Sequence, residues 1–388
     1  MHILLFCAYP YPATPEEPLF CGGQYHPYHL SKAFAKQGVT VHVIARQEES
    51  QPAYEVQQGI TIHRYSSLYH FGGHRRGISF SRNRLRLTKK LLATHHFDWV
   101  MTFSPLTNEL AILQQEGVRL FYMAPGVNVG YLTNLGISPK SIARRLFIKW
   151  ISQPFQRRNM HQAERIFANC SSDRALITDY YHPNTPIGIS SNGVDTETFH
   201  PGAAEKHDTI SFLTVGRFSP EKGHLEVLEA LALLHRQGAA PQCTFVGFID
   251  DGAYLRTVRQ RIAELGLITQ VTIRTNVAER DMPGIFAQSH VLIAYSNGYD
   301  PLPSVLFQAL ASGLPVLSTD WPARRAIISD GQDGFLIPPR QPRLLAEKIQ
   351  VLTSNRPMIE TMGRAARKTA CNSYDFKTLT ADFLSHLS

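Results

Sequence analysis

Residues 299–320, with the sequence YDPLPSVLFQALASGLPVLSTD, restrict the fold more than any other part of the chain. An apolar run of strand length precedes this stretch at residues 291–295, and another lies inside it at residues 314–318. Apolar residues between the two runs recur at helical spacing, and Gly313 stands where a helix commonly ends. The stretch therefore predicts a strand, a loop, a helix and a second strand, which is the repeating unit of a parallel α/β sheet.

Two polar side chains, Asp300 and Gln308, flank the start of the predicted helix with seven residues between them. A helix start also offers backbone N–H groups without intrahelical partners and the positive end of the helix dipole, both of which favour a phosphate. A carboxylate, an amide and an anion-binding helix start in one place indicate a site for a nucleotide sugar.

The length and composition are typical of a globular protein with two or three domains. The chain has 388 residues, 43% of them hydrophobic and 18% charged, so it has enough apolar sequence for substantial cores and too few charges for a disordered chain. Its five cysteines stand without paired spacing, which favours a reducing compartment over a disulfide framework or a zinc site. No signal peptide and no apolar segment of bilayer-spanning length is recognisable, so we expect a soluble, cytoplasmic protein.

The formal charge of +8 raises the question of an anionic partner. Residues 74–96 are the most basic stretch and carry leucines at helical spacing. The cations of this predicted helix are Arg82, Arg84, Arg86, Lys89 and Lys90. Two interpretations stay open: a solvated helix packed on a sheet, or an interfacial helix at residues 82–90 that contacts a phosphorylated acceptor or anionic lipid on the inner face of the cell membrane. A second basic stretch, residues 143–158, lies in the same half of the chain, and the two stretches together favour a membrane or acceptor face on one domain. The lack of a nucleic-acid recognition motif disfavours nucleic acid as the partner.

Strand and helix patterns alternate along the whole chain and predict two doubly wound α/β domains. Residues 2–8 and 39–45 predict buried strands on either side of a helix that follows the pair Gly22 and Gly23. The pair permits close approach of a ligand to the backbone, but no G-x-G-x-x-G is present, so a dinucleotide-binding interpretation is weak. The small polar residues 202–208 predict a linker, after which the alternation begins again.

Five segments together resemble family four of the GT-B glycosyltransferases. In chain order they are the pair Gly22–Gly23, SNGVDTETFHP (191–201), GRFSPEKG (216–223), the stretch 299–320 and DGQDGFLIPP (330–339). The match spans essentially the whole chain and is strong from Ser191 onward. Several motifs in the right order are far more specific than any one of them alone.

The resemblance implies an acceptor-side Rossmann-like domain at residues 1–205, a facing donor-binding domain at residues 206–370, and a last helix at residues 371–388 that crosses back to the first domain. It further implies a retaining, hexosyltransferase-type enzyme that moves a sugar from a nucleotide diphosphate sugar, most often UDP-linked. The acceptor that the resemblance implies is a glycan, a lipid-linked sugar or a small molecule, as in polysaccharide biosynthesis. Two alternatives stay open: a scaffold protein that keeps the fold without turnover, and a non-transferase sugar-nucleotide enzyme such as an epimerase.

The resemblance also assigns the donor site to a set of residues. They are Gly22, Gly23, Arg217, Lys222, Asp300, Pro301, Leu302, Pro303, Ser304 and Gln308. Arg217 and Lys222 would act in catalysis by holding the leaving diphosphate, because fixed positive charge is needed where negative charge develops. Members of the family work without a metal, and we expect neither a metal nor another cofactor here. The adjacent Asp250 and Asp251 are more typical of a turn than of a metal site.

The chain departs from the family's pattern at several places. Asp300 and Gln308 stand where the family usually has two glutamates. The first position is implied to contact the donor sugar, which makes Asp300 the third catalytic candidate, and the second is implied to contact the ribose hydroxyls. Near Pro125 the family often has a histidine, and residues 321–326 replace its usual Gly-Gly and glutamate. The imidazoles nearest to the glycine pair are those of His26 and His29, although lone histidines are usually structural.

Overall fold

The structure, a computed structural model, describes residues 1–12, 22–48, 51–66, 82–124, 146–202, 209–249, 251–298 and 302–387. The chain divides into two compact units, one ending at Ser191 and the other beginning at Asn192. The sequence placed the boundary after residue 205, whereas the contacts of residues 192–202 group them with the second unit. Each unit is built on one largely parallel sheet with helices packed against it, which confirms the predicted α/β class.

The first unit contains an eight-stranded sheet within the described residues. Its strands are β1 (His2–Pro10), β2 (Thr40–Arg46), β3 (Tyr54–Gln57), β4 (Ile60–Tyr65), β5 (Trp99–Thr102), β6 (Arg119–Met123), β7 (Arg165–Ala168) and β8 (Ile187–Ile189). They lie in the order β3-β4-β2-β1-β5-β6-β7-β8, and all neighbours are parallel except the pair β3 and β4. The direction in which successive strands are added reverses between β1 and β5. In a doubly wound sheet such a reversal opens a crevice at the carboxyl ends of the two strands.

The hairpin β3–β4 was not predicted from the sequence. Its two connecting residues, Gln58 and Gly59, have φ angles of 51° and 80°. Two consecutive positive φ angles are typical of the two-residue turn that matches the twist of paired antiparallel strands. The Gln-Gly pair between two short β-prone runs is the sequence signal that marks this turn.

Among the residues that the structure describes, the helices of the first unit are α1 (Gly22–Lys36), α2 (Arg82–Leu92), α3 (Glu109–Gln115), α4 (Gln153–Gln162) and α5 (Ser171–Tyr181). A π-helical turn, Ile148–Ser152, leads directly into α4. Helix α1 begins at the glycine pair itself, so Gly22 and Gly23 form its first turn.

Helix α2 packs on the sheet through Arg84, Thr88 and Leu91, which are buried. The guanidinium of Arg84 donates to both carboxylate oxygens of Glu109, from Nε at 2.8 Å and from Nη2 at 3.0 Å. Burial alone would raise the pKa of Glu109, but the charge and hydrogen bonds of Arg84 outweigh it and hold that pKa below its usual range. The interpretation that counted Arg84 with the exposed basic face is therefore wrong. Arg82, Arg86, Lys89 and Lys90 are exposed.

The second unit contains a six-stranded parallel sheet within the described residues. Its strands are β9 (Ser211–Val215), β10 (Gln242–Gly247), β11 (Val271–Thr275), β12 (Val291–Ala294), β13 (Val316–Thr319) and β14 (Gly334–Ile337). They lie in the order β11-β10-β9-β12-β13-β14, so the order of addition reverses between β9 and β12. This sheet therefore has its own switch point, at the ends of β9 and β12.

The helices of the second unit are α6 (His224–Arg236), α7 (Gly252–Glu264), α8 (Met282–Gln288), α9 (Ser304–Ala311), α10 (Pro342–Thr353), α11 (Arg356–Ser373) and α12 (Phe376–Leu387). The predicted strand, helix and strand around residues 299–320 are present as β12, α9 and β13. Gly313, with a φ of 69°, follows the end of α9 as expected. Helix α9 is buried along its length from Leu306 to Ala311, because it lies under the sheet and against α11.

Residues 192–202 are held on the second unit by hydrogen bonds to its last helices. Val194 pairs with Asp375, and the guanidinium of Arg367 donates to the backbone oxygens of Thr196, Phe199 and Ala311 at 2.7–3.0 Å. The return of residues 371–388 to the first domain stays a prediction. Across the described residues, every helix is too short or too polar to cross a membrane.

Candidate functional site

A pocket lies at the switch point of the second sheet. Its walls include the last residues of β9 and β12, from Thr214 to Gly216 and from Ile293 to Tyr295. The starts of α6 and α9 complete it, with Lys222 and His224 on one side and Pro303 and Val305 on the other. Two helices thus begin at this pocket, and the positive end of a helix dipole favours an anion.

The backbone around Lys222 is shaped by glycines. Gly216 and Gly247 approach so closely that a Cβ on Gly247 would lie 1.9 Å from the carbonyl oxygen of Gly216. Without a side chain on Gly216, the aliphatic stem of Lys222 lies over its backbone, 3.5 Å from where a Cβ would stand. These glycines let the segment 216–223 turn back at the end of β9 and bring Lys222 into the pocket wall.

Gly223 connects the 3₁₀ turn Pro220–Lys222 to helix α6. Its φ is 68°, and a Cβ at this position would lie 2.9 Å from the carbonyl oxygen of Tyr295. Tyr295 is itself held in place, since its hydroxyl donates to Pro338 O at 3.0 Å and accepts from Gln341 N at 2.8 Å. The start of α6 is therefore pressed against the end of β12, and only glycine fits between them.

Arg217 does not line the pocket; its guanidinium Nη2 donates to Oε1 of Glu221 at 3.0 Å. Glu221 also accepts from the next loop through its backbone oxygen, which receives the N–H groups of Asn297 and Gly298. Burial alone would raise the pKa of the Glu221 carboxyl, but backbone hydrogen bonding and the charge of Arg217 outweigh it and lower the pKa. The segment that carries the two predicted cations is thus fastened to residues 297–298.

Sequence reasoning did not select Arg324, which the structure places in the pocket wall. The residue is 1% exposed, and its guanidinium donates to the backbone oxygen of Ala294 and to the hydroxyls of Ser318 and Ser296, the last two at 3.0 Å. It therefore ties the ends of β12 and β13 together behind the pocket. The signal in the sequence was the departure from the family's Gly-Gly and glutamate at residues 321–326.

His224 is a second residue that sequence reasoning missed. It opens α6 and is fully buried, with its ring stacked on Phe218 at 4.9 Å and edge-on to Phe245 at 5.4 Å. Neither ring nitrogen has a hydrogen-bond partner among the described residues. Burial lowers the pKa of His224 to about 3, so the imidazole is neutral at ordinary pH and adds no charge beside Lys222.

Four more donor-site candidates of this unit lie on α9 or directly before it. Pro303 precedes the helix and Ser304 is its first residue, whereas Leu302 is buried and its backbone oxygen accepts from Asn192 Nδ2 at 2.9 Å. Gln308 is buried on the same helix, one turn after Ser304. Two more candidates, Asp300 and Pro301, lie outside the described residues.

The two candidate glycines of the first unit, Gly22 and Gly23, open α1 after the end of β1. His26 on the first turns of α1 packs edge-on against Phe103, which follows β5, at a centroid distance of 5.4 Å. This imidazole therefore lies at the switch point of the first sheet, and burial lowers its pKa to about 4. Contact of Gly22 and Gly23 with a donor stays a prediction.

Asp251, one of the two adjacent carboxylates, caps helix α7. Its Oδ1 accepts from the backbone N–H groups of Ala253 at 2.8 Å and Tyr254 at 3.2 Å. A carboxylate in this position satisfies N–H groups that the helix leaves unpaired and interacts favourably with its dipole. Asp250 lies outside the described residues.

Two parallel α/β units, the second with a cation-bearing pocket at its switch point, define a protein of the doubly wound, nucleotide-binding class. Two family models match this chain: Glycosyltransferase Family 4 over residues 20–198 and Glycosyl transferases group 1 over residues 195–369. Together they cover residues 20–369. The chain belongs to glycosyltransferase family four and is a glycosyltransferase with the GT-B fold.

Curated relatives are similar over different shares of their length. Spore coat protein SA of Bacillus subtilis strain 168 is 27% identical over 213 residues, 50% of this chain and 56% of that protein. The chain therefore spans little more than half the length of this relative. The amylovoran biosynthesis glycosyltransferase AmsK of Erwinia amylovora is 23% identical over 303 residues, 76% of this chain and 69% of that protein.

Solved structures share the fold over nearly the full chain. Sucrose-phosphate synthase from Thermosynechococcus elongatus superposes with a TM-score of 0.80 at 18% identity, covering 99% of this chain and 98% of that one. Anabaena HepE in complex with UDP and glucose gives a TM-score of 0.69 at 18% identity, covering 99% and 98%. At this level of identity the likeness supports the fold.

Proposed function

We propose that this glycosyltransferase moves a hexosyl group, with retention of anomeric configuration, from a nucleotide diphosphate sugar to an acceptor used in polysaccharide biosynthesis. The observation that carries the proposal is the pocket at the β9–β12 switch point, where two helix starts and Lys222 favour an anion such as a diphosphate. UDP is the preferred nucleotide of the proposal, supported by the solved HepE complex with UDP and glucose.

In this proposal Lys222 and Arg217 stabilise the diphosphate as it leaves. Negative charge accumulates on the leaving oxygen as the glycosidic bond breaks, so a fixed cation contributes more in the transition state than in the ground state. Lys222 already lies in the pocket wall, whereas Arg217 would exchange its bond to Glu221 for one to a phosphate oxygen. Arg324 acts indirectly, because its hydrogen bonds hold the strand ends that shape the pocket.

The sugar and the ribose are assigned to the other two polar candidates. Asp300 accepts hydrogen bonds from hydroxyls of the donor sugar, and Gln308 accepts from a ribose hydroxyl as a neutral amide. Retention requires that the acceptor attack from the face that the diphosphate leaves. A phosphate oxygen on that face takes the acceptor proton, which removes the need for a separate base at this position.

The proposal includes no metal and no other cofactor, because Lys222 and Arg217 supply the charge that a divalent cation would provide. The acceptor is a glycan, a lipid-linked sugar or a small molecule that meets the first unit on the cytoplasmic side of the membrane. Activity that EDTA abolishes and that manganese or magnesium restores would contradict the metal-free part of this proposal.

A panel of nucleotide sugars tests the proposal directly. Incubation with UDP-, GDP- and ADP-linked hexoses should release free nucleotide diphosphate with one of them, and UDP should bind in calorimetry. Asp300→Ala should reduce turnover, since its partner is the sugar, whereas Gln308→Ala should mainly weaken nucleotide binding. Failure of every nucleotide diphosphate to bind the wild type would place the donor elsewhere.

A further inference from the structure

Three large apolar side chains stand exposed within one short helical segment of the first unit. Leu146, Trp150 and Ile151 are 53%, 69% and 37% exposed. Single exposed apolar residues are common on protein surfaces, but contiguous groups mark contact with another surface. The segment lies outside the nucleotide pocket of the second unit, so the proposed donor chemistry does not account for it.

The exposure follows from local helix geometry. Ile148–Ser152 forms a π-helical turn, in which each turn contains more residues than an α-helical one. Ile148 and Ser152 face inward and are buried, so the three residues between them, Lys149, Trp150 and Ile151, all face solvent. Turns of this kind occur frequently at functional sites.

Helix α4, which continues directly from the segment, is held to the rest of the unit by hydrogen bonds. On α4, Asn159 pairs with the backbone of Leu106, accepting from its N–H at 2.9 Å and donating to its oxygen at 2.8 Å. Gln153 accepts from the hydroxyl of Tyr180 at 2.8 Å. Trp150 is therefore held in solvent by a helix whose opposite face is fixed.

Two exposed cations, Lys149 and Arg157, lie near the exposed apolar residues along the chain. Lys149 Nζ lies 5.5 Å from the centroid of the Trp150 ring, and Arg157 is exposed two turns further along. Residues 146–162 contain neither Asp nor Glu. Exposed indole and aliphatic groups beside cations are typical of segments that lie in the headgroup region of a bilayer with anionic lipid.

Helix α2, the membrane contact suggested by the sequence, has charge without such an apolar anchor. Its exposed residues include Arg86, Lys89 and Lys90, whereas its leucines are buried or half-buried. Helices α2 and α4 both contact Thr107. Arg84 Nη2 of α2 donates to the Thr107 hydroxyl at 3.5 Å, and Arg158 Nη2 of α4 donates to the Thr107 backbone oxygen at 3.1 Å. The cations of α2 therefore lie on a helix that contacts the same residue, Thr107, as the helix that follows Leu146, Trp150 and Ile151.

We propose that Leu146, Trp150 and Ile151, with Lys149 and Arg157, form a docking surface for a bilayer that contains anionic lipid. The apolar side chains enter the interfacial region, while the ammonium and guanidinium groups remain at the level of the lipid phosphates. Binding then has an apolar part that salt leaves unchanged and an electrostatic part that salt weakens.

The fluorescence of Trp150 in the 388-residue chain provides a direct test. Vesicles of phosphatidylcholine alone and of equal parts phosphatidylcholine and phosphatidylglycerol are compared, with brominated acyl chains as quenchers. Of the other two tryptophans, Trp99 is buried and Trp321 is half-buried. Quenching on phosphatidylglycerol vesicles, absent in Trp150→Phe, is the expected result. Absence of quenching in the wild type would overturn the proposal.

Co-sedimentation with the same vesicles tests the energetic role of the anchor. Trp150→Ser should lower the partition coefficient by about tenfold, because a buried aromatic side chain is lost from the interface. Ile268→Ser is the matched control, since Ile268 is 70% exposed but lies in the second unit, and it should bind like the wild type. Lys149→Gln with Arg157→Gln should remove most of the salt-dependent part.

Two results would contradict this docking surface. One is that Trp150→Ser binds like the wild type while the combination of Arg86→Gln, Lys89→Gln and Lys90→Gln abolishes binding; docking then belongs to α2. The other is equal loss with Ile268→Ser, which would indicate nonspecific adsorption. UDP affinity, measured for every variant, separates this surface from the donor site, because Trp150→Ser should leave it unchanged.

Discussion

Arg217 donates a hydrogen bond of 3.0 Å from Nη2 to Oε1 of Glu221, four residues further along the chain. A cation assigned to the leaving diphosphate is thus engaged by a carboxylate of its own segment. The side chain of Arg217 is 17% exposed and that of Glu221 is 42% exposed, so solvent partly screens the ion pair and a diphosphate can compete for Arg217.

Removing either predicted cation should weaken nucleotide binding. A hydrogen bond to a charged group contributes about 1.5–3 kcal/mol, so Arg217→Ala and Lys222→Ala should each raise the Kd for UDP by roughly 10- to 100-fold. The loss in kcat/KM should be larger than the loss in binding if the contact strengthens as the phosphate leaves. Arg280→Ala, an exposed arginine of the same unit outside the pocket wall, is the control and should change neither.

Glu221→Gln should have the opposite effect on binding. It removes the carboxylate that competes with the diphosphate for Arg217 and one negative charge beside the pocket. UDP affinity should rise by a factor of about 2–5 at low salt and by less at high salt, since the pair is partly exposed and screened. Titrations with UDP at two salt concentrations measure this change in affinity. Weaker binding of UDP by the variant would contradict the prediction and would mean that Glu221 positions Arg217 for the ligand.

Gly223→Ala should damage both stability and binding. The φ of 68° disfavours any side chain, and the new Cβ would lie 2.9 Å from the carbonyl oxygen of Tyr295. We expect a loss of about 1–3 kcal/mol in the free energy of unfolding and a lower affinity for UDP, because the start of α6 must shift.

Gly238→Ala, at the other end of α6, is the control for backbone strain. Its φ is 84°, and nothing lies within 4 Å of the added Cβ. It should lose stability and keep UDP affinity. Urea unfolding measures the stability of both variants, and calorimetry measures their affinity for UDP. Equal losses of affinity in the two variants would show that the contact with Tyr295 is irrelevant to the pocket.

The Arg84–Glu109 pair should be costly to break on one side only. Both side chains are buried, so Arg84→Met leaves an uncompensated carboxylate, with an expected loss of about 3–5 kcal/mol in the free energy of unfolding. The double variant Arg84→Met with Glu109→Leu should recover much of that loss. A double-mutant cycle by urea unfolding measures the coupling; additive losses would contradict it.

His224 should make stability depend on pH. Its pKa in the folded protein is about 3, below the ordinary value of 6.5, so between these values the unfolded chain binds a proton at this site and the folded one does not. The contribution to stability is complete above pH 6.5 and is lost as the pH falls, at about 1.4 kcal/mol per pH unit. His26, whose pKa is lowered in the same direction, adds to the trend.

Replacement of the imidazole by a phenyl ring isolates this effect. Between pH 7.5 and 5, His224→Phe should lose about 2 kcal/mol less stability than the wild type, because its ring cannot take up a proton. His161→Gln, at an exposed histidine of α4, should behave like the wild type. Parallel pH curves for wild type and His224→Phe would show that the buried ring has no part in acid unfolding.

Much of the fold was predictable from local pattern. Residues 291–295 and 314–318 are apolar runs because strands of a covered parallel sheet are buried on both faces, and the helix between them shows its own period. Gly313 ends that helix because the chain there has a positive φ. The family resemblance rests on the same kind of information, short motifs in fixed order.

Other features depend on residues that are far apart in sequence. From the sequence, Arg84 is expected to be a surface cation, but the structure pairs it with Glu109, 25 residues away. Likewise, nothing near Arg324 in the sequence indicates its hydrogen bond to the backbone oxygen of Ala294. Burial of a charge depends on whether a partner is brought within hydrogen-bond distance, which only the tertiary structure decides. The exposure of Trp150 also depends on the tertiary structure. The π-helical turn is stabilised by the packing of α4, and no periodicity in residues 146–152 predicts this turn.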